Sequence, residues 1–129
     1  INDVVVRNTF KSKGENKLVF ISDSMRACGM PDGEYELGGQ AVFVKGPVAT
    51  LKDSTLAGSA TSLMGCVIKA YEFGIPLEKA IKCASLNPAK AIKEDKKRGS
   101  LKEGKIADIV ILNDDLSIEK VFIKGKKFK

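Results

Sequence analysis

The sequence has 129 residues, 43% apolar and 29% charged, which is enough chain for one ordinary domain with its own hydrophobic core. No apolar run approaches the roughly 20 residues that span a bilayer, and the first residues do not resemble a signal peptide, so no membrane association is expected. The net charge of +6 comes mainly from scattered lysines and only two Tyr and six Phe are present, which favours a solvated basic surface over a nucleic-acid-binding one.

The first predicted element is a helix over residues 2–13. Val4, Val5 and Thr9 recur at near-helical spacing, and Gly14 is a typical residue to close a helix. The chain does not begin with Met, and its first residues read as the middle of this helix. We therefore expect a fragment or a processed product.

Residues 18–21 form a short, continuously apolar run, which predicts a strand covered on both faces, as in parallel sheets. Ser22 and Asp23 follow directly at its carboxyl end, where α/β barrels and open sheets place their active sites. Asp23 is therefore a candidate catalytic residue. The pattern alone fits a helix cap or an ordinary loop residue equally well.

A β-hairpin is predicted over residues 35–44, with Gly38 and Gly39 as its turn, after a turn-rich loop at residues 29–33. Another turn at residues 45–47 precedes a short strand near residues 48–51.

The small residues 54–60 are predicted to lead into a helix. Gly58 permits close approach of the backbone, and free N–H groups before a helix suit an anion or a hydroxyl-bearing ligand. The alternative is a tight turn in which Ser59 caps the helix. The candidate ligand-binding residues are Leu56, Ala57, Gly58 and Ser59.

Three helices are predicted next. The first ends at Gly74, Pro76 opens the second, and Asn87 and Pro88 start the third as its cap and first helical residue. The apolar positions that indicate the first two helices are Leu63, Met64, Val67, Ile68 and Tyr71, followed by Leu77, Ala80, Ile81 and Ala84. Strands are predicted at residues 106–112 and 118–124, which divides the chain into residues 1–98 and a β-rich tail, residues 99–129.

Little else in the sequence carries chemistry. Cys28, Cys66 and Cys83 form no C-x-x-C pair and are expected to be free thiols in a reducing cytoplasm, with Cys66 and Cys83 buried in helices. The sequence contains no histidine, the commonest metal ligand and general base. One Asp cannot build a metal centre, so any such centre needs ligands from elsewhere.

Five segments resemble the N-acetylglucosamine-6-phosphate deacetylases of the amidohydrolase superfamily. They are residues 22–27 (SDSMRA), 32–40 (DGEYELGGQ), 55–59 (TLAGS), 84–89 (ASLNPA) and 99–110 (GSLKEGKIADIV). The resemblance runs from about Val4 to the end, in order and with matching spacing. The last segment is shared across the superfamily, whereas the second and third are more specific.

The resemblance implies an α/β fold, the C-terminal fragment of a (β/α)8 (TIM) barrel metallo-hydrolase plus strands of a small β-sandwich domain. Residues 18–21 would be the last barrel strand, residues 34–44 an inserted ribbon, and Leu56, Ala57, Gly58 and Ser59 would contact the substrate. By the family's mechanism, Asp23 takes a proton from a metal-bound water that attacks the acetyl carbonyl, and then protonates the departing amine. The family's usual Thr-Asp-Ala is Ser22-Asp23-Ser24 here, which keeps the carboxylate.

The resemblance also implies partners. A divalent metal of the Zn or Fe class would bind the full-length enzyme through a Glu and two His that lie upstream, so this chain alone is expected to bind no metal and to be inactive. N-acetylglucosamine 6-phosphate would be the substrate of a cytoplasmic homodimer that binds neither nucleic acid nor membrane. The alternatives are an amidohydrolase acting on a cyclic amide and a small basic binding module without enzymatic activity.

Overall fold

The computed structural model describes residues 1–128, which form two compact units. The central unit is Phe20–Lys69, and the terminal unit combines Ile1–Val19 with the chain from Ala70 onward. None of the helices in residues 1–128 combines the length and the apolarity that a membrane crossing requires.

The terminal unit begins with helix α1, Asp3–Lys13. The Asn2 side chain accepts a 2.9 Å hydrogen bond from the Val4 amide, which is ordinary N-capping, so the helix starts at Asp3. The expectation that the chain starts in the middle of a helix was wrong. The predicted end at Gly14 is confirmed, because Gly14 has a φ of 72° and donates to the Phe10 carbonyl.

The central unit contains an antiparallel sheet in the order β1-β2-β3-β4. The predicted hairpin is confirmed: Gly38 and Gly39 have φ values of 60° and 83°, the two positive angles of a type I′ turn, and Leu37 faces Gln40. The strands are β1 Gly33–Leu37, β2 Gln40–Lys45, β3 Val48–Thr50 and β4 Leu56–Ser59. The hydrophobic core of the central unit consists of Met25, Ala27, Val42, Val44 and Ala49.

Residues 18–21 do not form the predicted buried strand. They belong to neither sheet of the described residues, and Val19 and Ile21 are 43% and 74% exposed. Leu18 has the extended backbone of a strand, with φ −109° and ψ 140°. A parallel strand is completed only by a neighbouring strand, and none of the strands in residues 1–128 pairs with this segment.

Three helices follow, as predicted: α2 Leu63–Glu72, α3 Leu77–Ala84 and α4 Leu86–Ala91. In α3 the buried positions are Ala80 and Cys83, whereas Ile81 is 40% exposed, so the predicted apolar face is rotated. The predicted capping by Asn87 was wrong, because α4 already starts at Leu86 and places Asn87 in its first turn. The reason is that burial and two carbonyl partners hold the Asn87 side chain away from the helix start.

The tail forms a second antiparallel sheet in the order β5-β6-β7. Its strands are β5 Ile109–Leu112, β6 Ile118–Ile123 and β7 Lys126–Lys127. Strand β5 begins later than predicted because the Ile106 amide donates to the Lys97 carbonyl and the Asp108 amide to the Ile106 carbonyl, which turns this backbone away from the ladder.

Candidate active site

Asp23 lies in the central unit, directly before the point where its segment meets the sheet. Its side chain is exposed, and its backbone has a φ of 49°. Non-glycine residues seldom adopt this left-handed region, but Asp does so more often than most, and Ser54, Lys93, Leu116 and Lys124 also have positive φ here. The exposure of Asp23, more than its φ, leaves its carboxylate accessible to a ligand.

The Asp23 segment and the predicted ligand-binding residues lie together in the structure. Ser24 forms a parallel bridge with Ser59, and the Met25 amide donates a 2.8 Å hydrogen bond to the Ser59 carbonyl oxygen. Residues about 35 positions apart in sequence therefore share one edge of the central unit. This contact between Asp23's neighbours and β4 is the main geometric support for a site here.

Residues 56–59 have a different local structure from the one predicted. They form β4, paired with β3, instead of a loop that runs into a helix. The Ser59 hydroxyl accepts a 3.1 Å hydrogen bond from the Thr61 amide, whereas Ser62 caps α2 by accepting from the Gly65 amide. Ser59 is therefore not the helix cap, because it is the last residue of strand β4 and pairs with Val48 of β3.

Neither backbone conformation nor packing within this chain requires glycine at position 58. Its φ is not in the left-handed region, and a Cβ built on it would lie 3.8 Å from Met25 and 3.9 Å from Leu37, which is ordinary contact. Leu56 is 71% exposed, whereas Ala57, Gly58 and Ser59 are half-buried. Strand β4 therefore pairs with β3 on one side, and Ser59 at its end bridges Ser24 on the other.

The residues of this chain do not by themselves fit a metal centre. Within residues 1–128 no group of three or more Cys, Asp or Glu side chains is arranged to hold an ion, and the sequence has no histidine. A hydrolytic centre of the zinc type needs about three protein ligands. Asp23 can contribute only one carboxylate to such a centre.

The three cysteines are free, as predicted. Cys83 is buried as expected, whereas Cys66 is only half-buried. Burial raises the pKa of the Cys83 thiol, with a smaller contribution from the Glu15 carboxylate, and burial also raises the pKa of the Cys66 thiol. Because a nucleophilic cysteine requires a lowered pKa, neither thiol is suited to catalysis.

Sequence reasoning missed two residues of this region. The Ser24 hydroxyl donates a 2.5 Å hydrogen bond to the Thr61 carbonyl oxygen, and the Thr61 hydroxyl donates a 3.4 Å one to the Pro47 carbonyl oxygen. Neither residue belongs to a spacing pattern that predicts this contact. The only available signal was the position of Ser24 next to the candidate Asp23.

Comparisons with known proteins show which family this chain resembles. The model of the amidohydrolase family matches residues 38–128. The chain is 38% identical to an N-acetylglucosamine-6-phosphate deacetylase of Vibrio furnissii, over 86% of this chain and 28% of that protein. It is also 38% identical to the Bacillus subtilis deacetylase of the same name, over 90% of this chain and 30% of that protein.

A third relative, a putative N-acetylgalactosamine-6-phosphate deacetylase of Escherichia coli, is 39% identical, and the match covers 87% of this chain and 68% of that protein. The chain spans less than a third of the length of the Vibrio furnissii and Bacillus subtilis deacetylases.

Solved structures show the same relationship. A crystal structure of N-acetylglucosamine-6-phosphate deacetylase from Pasteurella multocida superimposes with a TM-score of 0.90 at 28% identity, covering 98% of this chain and 34% of that chain. The Thermotoga maritima structure of that name gives 0.87 at 33% identity, with 98% and 35% covered. The fold is thus the expected portion of a barrel hydrolase with its β-domain, and the chain belongs to the amidohydrolase family.

Proposed function

We propose that this chain is the C-terminal part of an N-acetylglucosamine-6-phosphate deacetylase. The single observation that carries the proposal is the bridge between Ser24 and Ser59, which joins the Asp23 segment to residues 56–59 in one unit. The identities to relatives of that name, 38% in two of them, support this substrate class. The reaction is hydrolysis of the N-acetyl group, giving glucosamine 6-phosphate and acetate.

Asp23 is proposed as the proton-transfer group. An exposed carboxylate on a fixed backbone can accept a proton from the water that attacks the acetyl carbonyl. It can then return that proton to the nitrogen as the carbon–nitrogen bond breaks. The return is necessary because an amine leaves readily when neutral and very poorly as an anion.

Residues Leu56, Ala57, Gly58 and Ser59 are proposed to contact the substrate. Ala57, Gly58 and Ser59 are small and half-buried beside the Asp23 segment, and Leu56 offers an exposed apolar surface. A sugar phosphate presents hydroxyl groups and an amide, which are partners for backbone N–H and C=O groups. Because the Escherichia coli relative is named for the galactosamine substrate, that epimer is the second candidate.

A divalent metal of the Zn or Fe class is proposed for the full-length protein. Deacetylases of the amidohydrolase family are generally metal-dependent. Since the residues described here do not form a metal centre by themselves, the other ligands must come from parts of the protein outside this sequence. The metal would supply a water of lowered pKa, and Asp23 would act beside it.

We also propose a cytoplasmic homodimer. The free thiols of Cys28, Cys66 and Cys83 are typical of a reducing compartment. Resemblance to deacetylases, not the exposed surface of this chain, is what suggests the dimer. Light scattering of the full-length protein after size-exclusion chromatography tests the dimer.

The test of the proposed function is acetate release from N-acetylglucosamine 6-phosphate by the full-length protein that contains this chain. We expect turnover in the wild type and a loss of about 100-fold or more in kcat for Asp23→Asn. The matched control is Asp53→Asn, an exposed aspartate of the same unit that caps a turn by accepting from the Thr55 amide. Wild-type turnover of a cyclic amide instead, or an Asp23→Asn variant as active as the control, would refute the proposal.

The binding-module alternative requires a different measurement. Titration of the full-length protein with duplex DNA and with RNA at increasing salt should show no specific binding. Salt-dependent affinity without acetate release would favour that alternative.

A further inference from the structure

Asp23 is held in a backbone conformation that it does not prefer. Its φ of 49° lies in the left-handed region, where a Cβ crowds the following carbonyl. Asp adopts this region more often than most side chains, and the contacts around it decide whether it keeps the conformation. The contacts that hold the Asp23 backbone therefore also help to set the position of its carboxylate.

Two attachments follow Asp23 immediately in the chain. The first is the backbone bridge between Ser24 and Ser59, which includes the 2.8 Å hydrogen bond from the Met25 amide to the Ser59 carbonyl oxygen. It uses only backbone atoms and does not depend on the side chain at position 24. The second is the 2.5 Å hydrogen bond from the Ser24 hydroxyl to the Thr61 carbonyl oxygen, which depends on the hydroxyl and spans 37 residues of sequence.

The acceptor of the Ser24 hydroxyl is itself firmly anchored. The Thr61 amide donates to the Ser59 hydroxyl at 3.1 Å, and the Thr61 hydroxyl donates to the Pro47 carbonyl oxygen at 3.4 Å. The neighbouring Ala60 amide donates to that same Pro47 carbonyl oxygen at 3.1 Å. A hydrogen bond to this segment therefore ties residue 24 to a part of the unit that is held by the sheet.

The hydroxyl contact adds a second attachment to the one that the backbone provides. The bridge joins Ser24 to Ser59, and the side-chain bond joins Ser24 to Thr61. Because the peptide between Asp23 and Ser24 is planar and stiff, a shift of residue 24 also moves the backbone of Asp23. Loss of the hydroxyl should release Asp23 toward commoner backbone angles.

We propose that Ser24 is a positioning residue for Asp23, whose carboxylate it holds in place through the hydrogen bond from its hydroxyl to the Thr61 carbonyl oxygen. The proposal rests on the proposed deacetylase function, since it assigns a role in that reaction. Ser24 itself is not proposed to touch the substrate.

The test compares Ser24→Ala with Ser24→Thr in the full-length protein. Ser24→Ala should lower kcat by about 10-fold with little change in KM, because misplacing a catalytic group weakens the reacting geometry more than ground-state binding. Ser24→Thr keeps a hydroxyl and should recover most of kcat. Ser12→Ala is the control, since it removes an exposed hydroxyl that donates to the Thr9 carbonyl in α1.

The outcomes separate this proposal from the proposed function. Wild-type turnover with an unchanged kcat in Ser24→Ala would overturn the positioning role alone, as would a Ser24→Thr variant no better than Ser24→Ala. If the wild type releases no acetate, the proposed function fails. A crystal structure of Ser24→Ala then tests separately whether the Ser24 hydroxyl controls the backbone conformation of Asp23. Asp23 leaving positive φ there supports the positioning contact, and an unchanged Asp23 refutes it.

Discussion

The side-chain amide of Asn87 donates a 2.7 Å hydrogen bond to the backbone carbonyl oxygen of Leu18, 69 residues earlier in the chain. The same amide group donates a 2.5 Å hydrogen bond to the Glu15 carbonyl oxygen. Asn87 is only 4% exposed, so both bonds lie in a protected environment. One buried side chain of α4 therefore fixes the backbone between α1 and the extended residues 18–21.

Replacing Asn87 should destabilise the fold strongly. Asn87→Ala leaves the Glu15 and Leu18 carbonyl groups without this donor, which should lower the free energy of unfolding by about 2–3 kcal/mol. Denaturant unfolding of the full-length protein measures the change. Asn113→Ala, which removes an exposed 2.9 Å bond to the Ser117 hydroxyl, is the control and should cost under about 1 kcal/mol. Equal losses in the two variants would contradict the buried role of Asn87.

Three glycines should respond differently to alanine. Gly99 has a φ of 85°, and its new Cβ would lie 2.7 Å from the Ala89 Cβ, so Gly99→Ala should cost about 3 kcal/mol of unfolding free energy. Gly104 has a φ of 82° with no atom within 4 Å, so strain alone should cost about 1–2 kcal/mol. Gly58→Ala should be near neutral, because the methyl meets Met25 at 3.8 Å.

The same unfolding measurement applies to all three glycine variants. The ordering of the losses, with Gly99 largest and Gly58 smallest, is the decisive result. A Gly58→Ala variant as unstable as Gly99→Ala would show that β4 is packed more tightly than the structure indicates.

Acid should weaken the tail sheet partly through Asp115. A hydrogen bond from the Ser117 hydroxyl, followed by one from the Ser117 amide, lowers the pKa of the Asp115 carboxyl in the folded protein. A carboxyl with a lowered folded pKa stabilises the fold above its unfolded pKa, and this contribution disappears as the pH falls through the folded value. Stability should therefore drop below about pH 4.

The Asp115→Asn variant should lose less stability than the wild type between about pH 5.5 and about pH 3. Thermal unfolding at the two pH values provides the comparison. Asp114→Asn removes the same charge from the same turn and is the matched control. An acid slope in Asp115→Asn as steep as in the wild type would exclude this carboxyl as a contributor.

The 129-residue chain alone should release no acetate from N-acetylglucosamine 6-phosphate, even with added zinc. It has no histidine, and its described residues contain no cluster of metal ligands around Asp23. Acetate can be measured by a coupled assay, with the full-length protein as the positive control. Turnover by the isolated chain would contradict the requirement for ligands from outside this sequence.

Elements with strong local signals were predicted correctly. Two consecutive glycines between alternating strands specify the turn at Gly38 and Gly39, and positive φ at both positions confirms it. Gly14 ends α1 for a similarly local reason. The membership of the amidohydrolase family also followed from short motifs, and the family model and relatives confirm it.

Elements that depend on distant partners were predicted less well. Residues 56–59 are small and carry no periodicity, so only pairing with β3 decides that they form a strand. Residues 18–21 have the composition of a buried strand, yet no strand of the described residues pairs with them, and Val19 and Ile21 remain exposed. The role of Asp23 remains a prediction, because its chemistry depends on residues that this sequence does not contain.

The sequence by itself determined the turns, most helices, the family and the candidate Asp23, because these depend on residues near one another in the chain. The tertiary structure alone decided that Asn87 holds Leu18 and that the Ser24 hydroxyl meets Thr61. The Ser24 and Asn87 side chains donate to carbonyl oxygens that lie 37 and 69 residues away, respectively. No local pattern encodes which donor reaches these oxygens.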